Sequence, residues 1–312
     1  MNAVGDKDPA VVIWRISDRR PGHDAQSKGL VQAICRLTAC QQYDLPADSI
    51  FSAIYHYLIK KFPAGADLPD PDLIIAAGHG THLSMLCARH ARAGKAIVLM
   101  KPSLPAALFD LCFIPSHDKP GSAKNIVQTQ GALNTSLPSS QLNAARGLVM
   151  IGGESKHYSW DNTSLTAQIK EVLNTPNIQW HITDSPRTPD ISRRSMQKLA
   201  SDNVQYMPFN QAPAAWLHDA LQQAGTVWVS EDSISMIYEA ITSGASVGVF
   251  NVPIKNPGRI SSAVKNMLDD KLITPFHRWK SGTSLSPAKP PLNEAARCAQ
   301  LLLSRLCLPT DA

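Results

Sequence analysis

Short β-branched and apolar runs recur along this chain, at 11–16, 73–77, 96–100 and 111–114, and between them apolar residues repeat at helical spacing, most clearly over 24–37 and 81–93. Alternation of this kind predicts βαβ units and a parallel sheet. A polar stretch, NTSLPSSQLNAA at 134–145, interrupts the pattern, which restarts with runs at 148–151, 178–182, 204–207, 227–229 and 247–250. The fold class is therefore α/β, with two doubly wound Rossmann-like domains. We divide the chain into an N-terminal domain over 1–143, a C-terminal domain over 144–290, and a tail over 291–312. A segment rich in Pro, Ser, Lys and Gly at 279–291 predicts a surface loop. The helical pattern that follows it, 293–306, predicts a last helix that packs back across the first domain.

The most informative stretch is 226–253, which reads as strand, turn, helix, turn, strand. Ile234, Ile237 and Ile241 would face the sheet, and Asp232, Ser235 and Glu239 would share another face. Ser233 and Ser235 fall where free amides and the positive end of the helix dipole favour a phosphate. Glu239 lies one turn deeper, within reach of ribose hydroxyls. Asp232 and Ser233 also serve as ordinary N-caps, and Gly244 as a C-cap. Glu239 is harder to assign to local structure, because a carboxylate amid EAITSGA is costly to bury without a partner.

Two strand-to-helix elbows mark the first domain. In the first, VVIWRIS runs into Asp18-Arg19-Arg20-Pro21-Gly22-His23-Asp24. Ligands in open α/β sheets bind at the carboxyl ends of the strands, which makes Gly22 a candidate substrate contact and His23 a candidate general base on an acceptor hydroxyl. Asp18 or Asp24 would orient the imidazole; alternatively Asp24 caps the helix and His23 bonds the turn. The second elbow, Gly78-His79-Gly80-Thr81-His82, pairs glycines that permit close backbone approach with a helix start near Thr81 that offers amides to an anion. His79 and His82 match a metal spacing only superficially, and no metal or other cofactor is expected.

In the second domain Gly152-Gly153-Glu154-Ser155 follows a strand, and the glycines would let a phosphate or the other domain come close. Arg187, after the next strand, would neutralise a diphosphate or stand at the surface. Neither GxxxxGK[ST] nor GxGxxG occurs, which argues against ATPase and dehydrogenase chemistry.

The 312 residues are 44% apolar and 18% charged, a globular composition. A net charge of +5 without a basic stripe suits phosphorylated ligands or an anionic membrane surface better than nucleic acid. Six scattered cysteines without a CxxC pair suggest reduced core residues and a cytoplasmic protein, with no disulfide framework. The N-terminus MNAVGDKDPA supports no targeting peptide, and no apolar run reaches membrane-spanning length, so the chain is expected to be soluble or peripheral to the inner membrane. One segment bears on that choice. In FSAIYHYLIKKF, Phe51, Ile54, Tyr55, Leu58 and Phe62 form a helical stripe, which would usually be buried in the protein's own core. Tyr57 and Ile59 widen the apolar surface, and Lys60-Lys61 lie beside it as contact with an anionic membrane would require. Exposure distinguishes the two.

The motifs WRISDRRPGHDAQSKGL, AAGHGTHL, VLMKPSLPAALFDLCFIPSHD, GLVMIGGESKHYSWD, TDSPRTP and VSEDSISMIYEAITSGASVGVF together resemble the bacterial branch of the mitochondrial fission (elongated-mitochondria) family, over about residues 11–265. Bacterial members are classed as GT-B glycosyltransferases. The resemblance implies two domains facing across a cleft, a nucleotide-sugar donor in the C-terminal domain, a glycan or lipid-linked acceptor in the N-terminal one, and Glu239 on the donor ribose. It also implies no bound metal. The chain departs from the family where Pro186 stands in place of the first of two arginines; Arg187 remains, and Arg193-Arg194 lie slightly later. The eukaryotic relatives imply an alternative, a noncatalytic adaptor on the same scaffold; a nucleotide-sugar epimerase is a third reading of the two-domain architecture.

Overall fold

A computed structural model describes residues 10–281, 283–285 and 292–310, so residues 282 and 286–291 of the predicted loop lie outside the described residues. The chain forms two compact units, one comprising Met1–Thr135 with Glu294–Ala312 and the other Ser136–Asn293.

The first unit runs β1 (Val11–Ser17), α1 (Pro21–Cys35), β2 (Cys40–Pro46), α2 (Ile50–Leu58), β3 (Leu73–Ala77), α3 (His82–Arg92), β4 (Lys95–Leu99), β5 (Leu111–Pro115) and β6 (Ile126–Thr129). All its strands are parallel, in the order β2-β1-β3-β4-β5-β6. β3 and β5 are buried throughout, as their unbroken apolar runs require when helices cover both faces. The first core joins Ile13, Leu73, Ile75, Ile97 and Phe113 to Leu30 and Ile34 of α1. The second, on Trp14, Ile74, Ala76 and Val98, takes Met85 and Ala88 from α3.

The second unit contains β7 (Asn143–Met150), α4 (Asn162–Leu173), β8 (Gln179–Thr183), α5 (Asp190–Gln197), β9 (Val204–Met207), α6 (Trp216–Gln223), β10 (Ala224–Ser230), α7 (Ile234–Ser243), β11 (Ser246–Phe250), α8 (Arg259–Asp269) and β12 (Thr274–Pro275). Its sheet is again parallel, in the order β12-β11-β10-β7-β8-β9. Ile169 and Val172 of α4 cover one face against Val149, Trp180 and Trp228. The final helix, α9 (Glu294–Leu306), belongs to the first unit, where Cys298, Ala299, Leu302 and Leu303 are fully buried against the α1 side.

Two sequence expectations are corrected. The units divide at 135/136 rather than 143/144, because the polar segment is tied to the second unit. The Gln222 side chain donates to Leu137 O at 2.8 Å, and the Ser139 amide to Ser243 O at 3.0 Å. Cys35 and Cys40 form a disulfide: the turn between α1 and β2 sets their Cα atoms 5.4 Å apart, within bonding range. Cys87, Cys112 and Cys298 are free and buried, whereas Cys307 is free and exposed. The stripe over 51–62 divides: α2 ends at Leu58 and leaves Phe51, Ile54, Tyr55 and Leu58 exposed, whereas Phe62 lies beyond the helix and is buried in the second core.

Candidate functional site

Both sheets change winding direction beside their first strand. The chain lays β2 on one side of β1 and β3 on the other; likewise β8 lies on one side of β7 and β10 on the other. A ligand crevice opens at the carboxyl ends of strands at such a switch point. The candidate residues fall there in both units. Asp18, Gly22 and His23 follow β1, and Gly78 and Thr81 follow β3. In the second unit Gly152, Gly153 and Ser155 follow β7, whereas Asp232, Ser233, Ser235 and Glu239 follow β10.

In the first unit the open choice of a partner for His23 resolves to Asp18, whose Oδ2 lies 2.8 Å from His23 Nδ1. Asp24 is held elsewhere. The buried Arg15 grips Asp44 through Nε and Nη2 at 2.8 and 2.6 Å and Asp24 through Nη1 at 2.9 Å. Against the cost of burial, Ser17 and Arg15 hold the Asp24 carboxyl below its ordinary range. Asp18 accepts the Arg20 amide at 3.2 Å, which fixes the carboxylate in the turn. The Nδ1 contact with Asp18 leaves Nε2 without a hydrogen bond among the described residues. Gly78 makes this packing possible. Its φ is +85°, and a Cβ there would overlap the His23 imidazole. The Thr81 hydroxyl donates to Gly78 O at 2.8 Å and so braces that turn from a buried position. Gly22 sits in the first turn of α1, where an added Cβ would meet open space. His82 is a core residue: burial, with a smaller contribution from His79, pushes its pKa down to about 4, and Nδ1 lies 3.2 Å from Ser103 Oγ. Among the described residues no cluster of three or more His, Cys, Asp or Glu could hold a metal ion.

In the second unit the glycine pair is engaged within the fold. The Gly152 amide donates to Ser230 Oγ at 2.7 Å and the Gly153 amide to Asp232 Oδ2 at 2.9 Å. A Cβ on Gly152 would overlap the Asp232 carboxylate, and one on Gly153 the Arg187–Thr188 backbone. Arg187 lies over this cluster, donating to Gly153 O at 2.9 Å, Glu154 O at 3.2 Å and Asp232 Oδ2 at 3.0 Å. Of its five N–H donors two, Nε and one on Nη2, make no hydrogen bond among the described residues. Burial raises the Asp232 carboxyl against the pull of the Gly153 amide, Ser230 and Arg187, and among the described residues no hydrogen bond reaches its buried Oδ1. Ser155 Oγ accepts the amides of His157 and Tyr158, each at 3.2 Å.

Ser233 is the N-cap of α7, yet its hydroxyl makes no capping bond, and the first-turn amides of Ile234, Ser235 and Met236 lie outside the helical ladder. Ser235 is exposed at this end. Glu239 follows one turn on, partly exposed, and no hydrogen bond or ion pair of its carboxylate occurs among the described residues; burial alone pushes its pKa up to about 7. Gly244 ends the helix in the left-handed region with φ +88°.

Two groups here escaped the sequence reading. Asp184, buried at the end of β8, accepts Arg193 Nε at 2.7 Å, Tyr206 Oη at 3.0 Å and the Phe209 amide at 2.7 Å. It thereby occupies Arg193 and fixes the loop that carries Arg187. Its signal is an acid at the carboxyl end of a strand within TDSPRTP. Tyr158 Oη is buried without a hydrogen-bond partner among the described residues, and burial, with Glu231 and Asp232 nearby, raises its pKa. No sequence pattern flagged it.

Two parallel, doubly wound sheets define an α/β protein of the GT-B Rossmann-like class. The chain belongs to the mitochondrial fission ELM1 family, whose model matches residues 21–306. It is similar to the uncharacterized protein RP120 of Rickettsia prowazekii, with 24% identity over 93% of this chain and 97% of that protein. Among solved structures it resembles the UDP-GlcNAc 2-epimerase from Methanocaldococcus jannaschii, with a TM-score of 0.55, 9% identity, and 95% and 100% of the two chains covered. The glycotransferase of kitacinnamycin gives a TM-score of 0.51 at 13% identity, covering 97% and 100%. At such identities the likeness is one of fold.

Proposed function

We propose that this chain is a metal-independent glycosyltransferase that moves a sugar from a nucleoside-diphosphate sugar, bound by the second unit, to the hydroxyl of a glycan or lipid-linked acceptor taken by the first. The observation that carries this reading is Glu239: a carboxylate with no hydrogen-bond or ion-pair partner among the described residues, one turn into a helix whose start is uncapped, at a switch point. An unpaired acid raised by burial is an expensive feature to keep in a fold, and ribose hydroxyls would satisfy it. The free amides of α7, with the hydroxyls of Ser233 and Ser235, would accept the diphosphate, and the two spare donors of Arg187 would add charge. Gly152, Gly153 and Asp232 position Arg187 in this scheme.

Catalysis follows from the other switch point. His23 Nε2 takes the proton from the acceptor hydroxyl as that oxygen attacks the anomeric carbon; the bond from that carbon to the diphosphate oxygen breaks, and the nucleoside diphosphate leaves with the electron pair. Asp18 holds Nδ1–H and stabilises the imidazolium that forms. Attack opposite the leaving group inverts the anomeric configuration. The fold also fits the UDP-GlcNAc epimerase it resembles, so the test must read the product. Incubating a panel of UDP-, GDP- and CDP-sugars with glycan and lipid-linked acceptors should release nucleoside diphosphate only when acceptor is present, and chelator should leave the rate unchanged. An epimerised sugar without acceptor, or no turnover of any donor, would overturn the proposal.

A further inference from the structure

We propose that α2 docks this protein on an anionic lipid bilayer, with Phe51 and Leu58 entering the acyl region and Lys60 and Lys61 meeting the headgroups. Of the eleven large apolar side chains exposed among the described residues, seven lie within residues 50–59. Phe51 is 87% exposed and Leu58 74%, and a spacing of seven residues puts both on one face, two turns apart. The apolar surface continues into a groove of about 550 Å³ between α2 and α3, lined by Ile54, Tyr57, Leu83, Leu86 and Leu108. A contiguous apolar surface of this kind marks an interaction site.

Charge selects the partner. Residues 49–66 contain no Asp or Glu, and Lys60 and Lys61 are both exposed where α2 ends. Of the acids that flank this stretch, Asp48 lies 3.0 Å from His56 Nδ1, Asp70 pairs with Arg92, and Asp110 pairs with Arg89 at 3.4 Å and Lys95 at 3.6 Å, while Asp67 follows the stretch on the surface. On the helix flank His90 stacks on Tyr57 with ring centroids 4.6 Å apart, adding another basic group beside the apolar face. A second copy of the chain meeting this surface face to face would set Lys60 and Lys61 against their own counterparts, since residues 49–66 offer no acid to answer them. A bilayer containing anionic lipid supplies both the apolar layer and the counter-charge, and Tyr55 and Tyr57 suit the headgroup boundary. No helix among the described residues is long and apolar enough to cross a membrane, and nine residues of helix span only about 14 Å, so α2 would lie in the interface. This inference does not depend on the nucleotide-sugar reading.

The test is co-sedimentation of the full chain with phosphatidylcholine vesicles, with and without phosphatidylglycerol, at low and high salt. The wild type should bind vesicles containing phosphatidylglycerol and bind less as salt rises. Lys60→Glu with Lys61→Glu should lower that binding about tenfold or more, since each lysine near an anionic surface is worth roughly fivefold. Phe51→Ser with Leu58→Ser should abolish it at every salt while leaving the circular dichroism melt unchanged. Calorimetry with nucleotide on the same samples separates the two proposals, because both double variants should keep the wild-type affinity. Wild-type protein that stays in the supernatant, or Phe51→Ser/Leu58→Ser protein that sediments like wild type, overturns the docking proposal. So does self-association of the wild type that this double variant abolishes, without vesicle binding; the face would then be an interface between copies.

Discussion

The Glu239 carboxylate combines a cost to stability with a proposed role in binding, and the two can be measured apart. Its pKa is raised from 4.5 to about 7 by burial, so between those values the unfolded chain is ionised while the folded one still holds the proton. Stability from this group is therefore present below about pH 4.5 and declines as pH rises through about 7. Glu239→Gln should consequently stabilise the free protein at pH 8 by about 1–3 kcal/mol, with the gain vanishing towards pH 4, as read by urea melts across that range. The same substitution should weaken nucleotide binding, and a variant that gains no stability and loses no affinity would make Glu239 a surface residue. His23 is expected to behave in the opposite way. His23→Ala should lower turnover by about 10² or more with donor affinity unchanged, and Asp18→Asn should lower it too by releasing the tautomer, both checked by initial rates beside calorimetry.

Among the elements, the strands were most legible where burial on both faces removes every reason for polar residues. β3 and β9 lie within the residues their apolar runs marked, and β5 and β11 within one residue of theirs. β2 was missed because it is an edge strand, CQQYDLP, whose one buried side chain is Leu45 and whose Asp44 is there to hold Arg15. β12, at two residues, is too short to set a period, and in β6 (IVQT) polar Gln128 and Thr129 break the apolar run after Val127. Helical periodicity marked α2 without revealing which way its stripe faces, since the same spacing serves a core or a docking surface. The site was legible as polar groups after strands, but the choice between Asp18 and Asp24 was not, because it turns on Arg15, which points to Asp24 and Asp44 from within a strand. α9 offers an element-scale check. Leu302 is fully buried against the first unit, so Leu302→Ala should cost about 2–5 kcal/mol, and a loss under 1 kcal/mol in a thermal melt would mean that α9 does not complete that core.

Across the whole molecule, two sheets of the same winding put polar chemistry at two switch points, with donor recognition proposed at the second and proton transfer at the first. Donor recognition is the part on which the rest depends, since without a nucleotide at α7 neither the unpartnered acid nor the free helix start has a use. Calorimetric titration of the wild type and of Glu239→Ala with UDP, GDP and CDP tests it most directly. At least one nucleotide is expected to bind the wild type, and the substitution to weaken it by about 1–3 kcal/mol, the value of a charge-assisted hydrogen bond. Absence of binding by all three, or equal affinity in the variant, would contradict it.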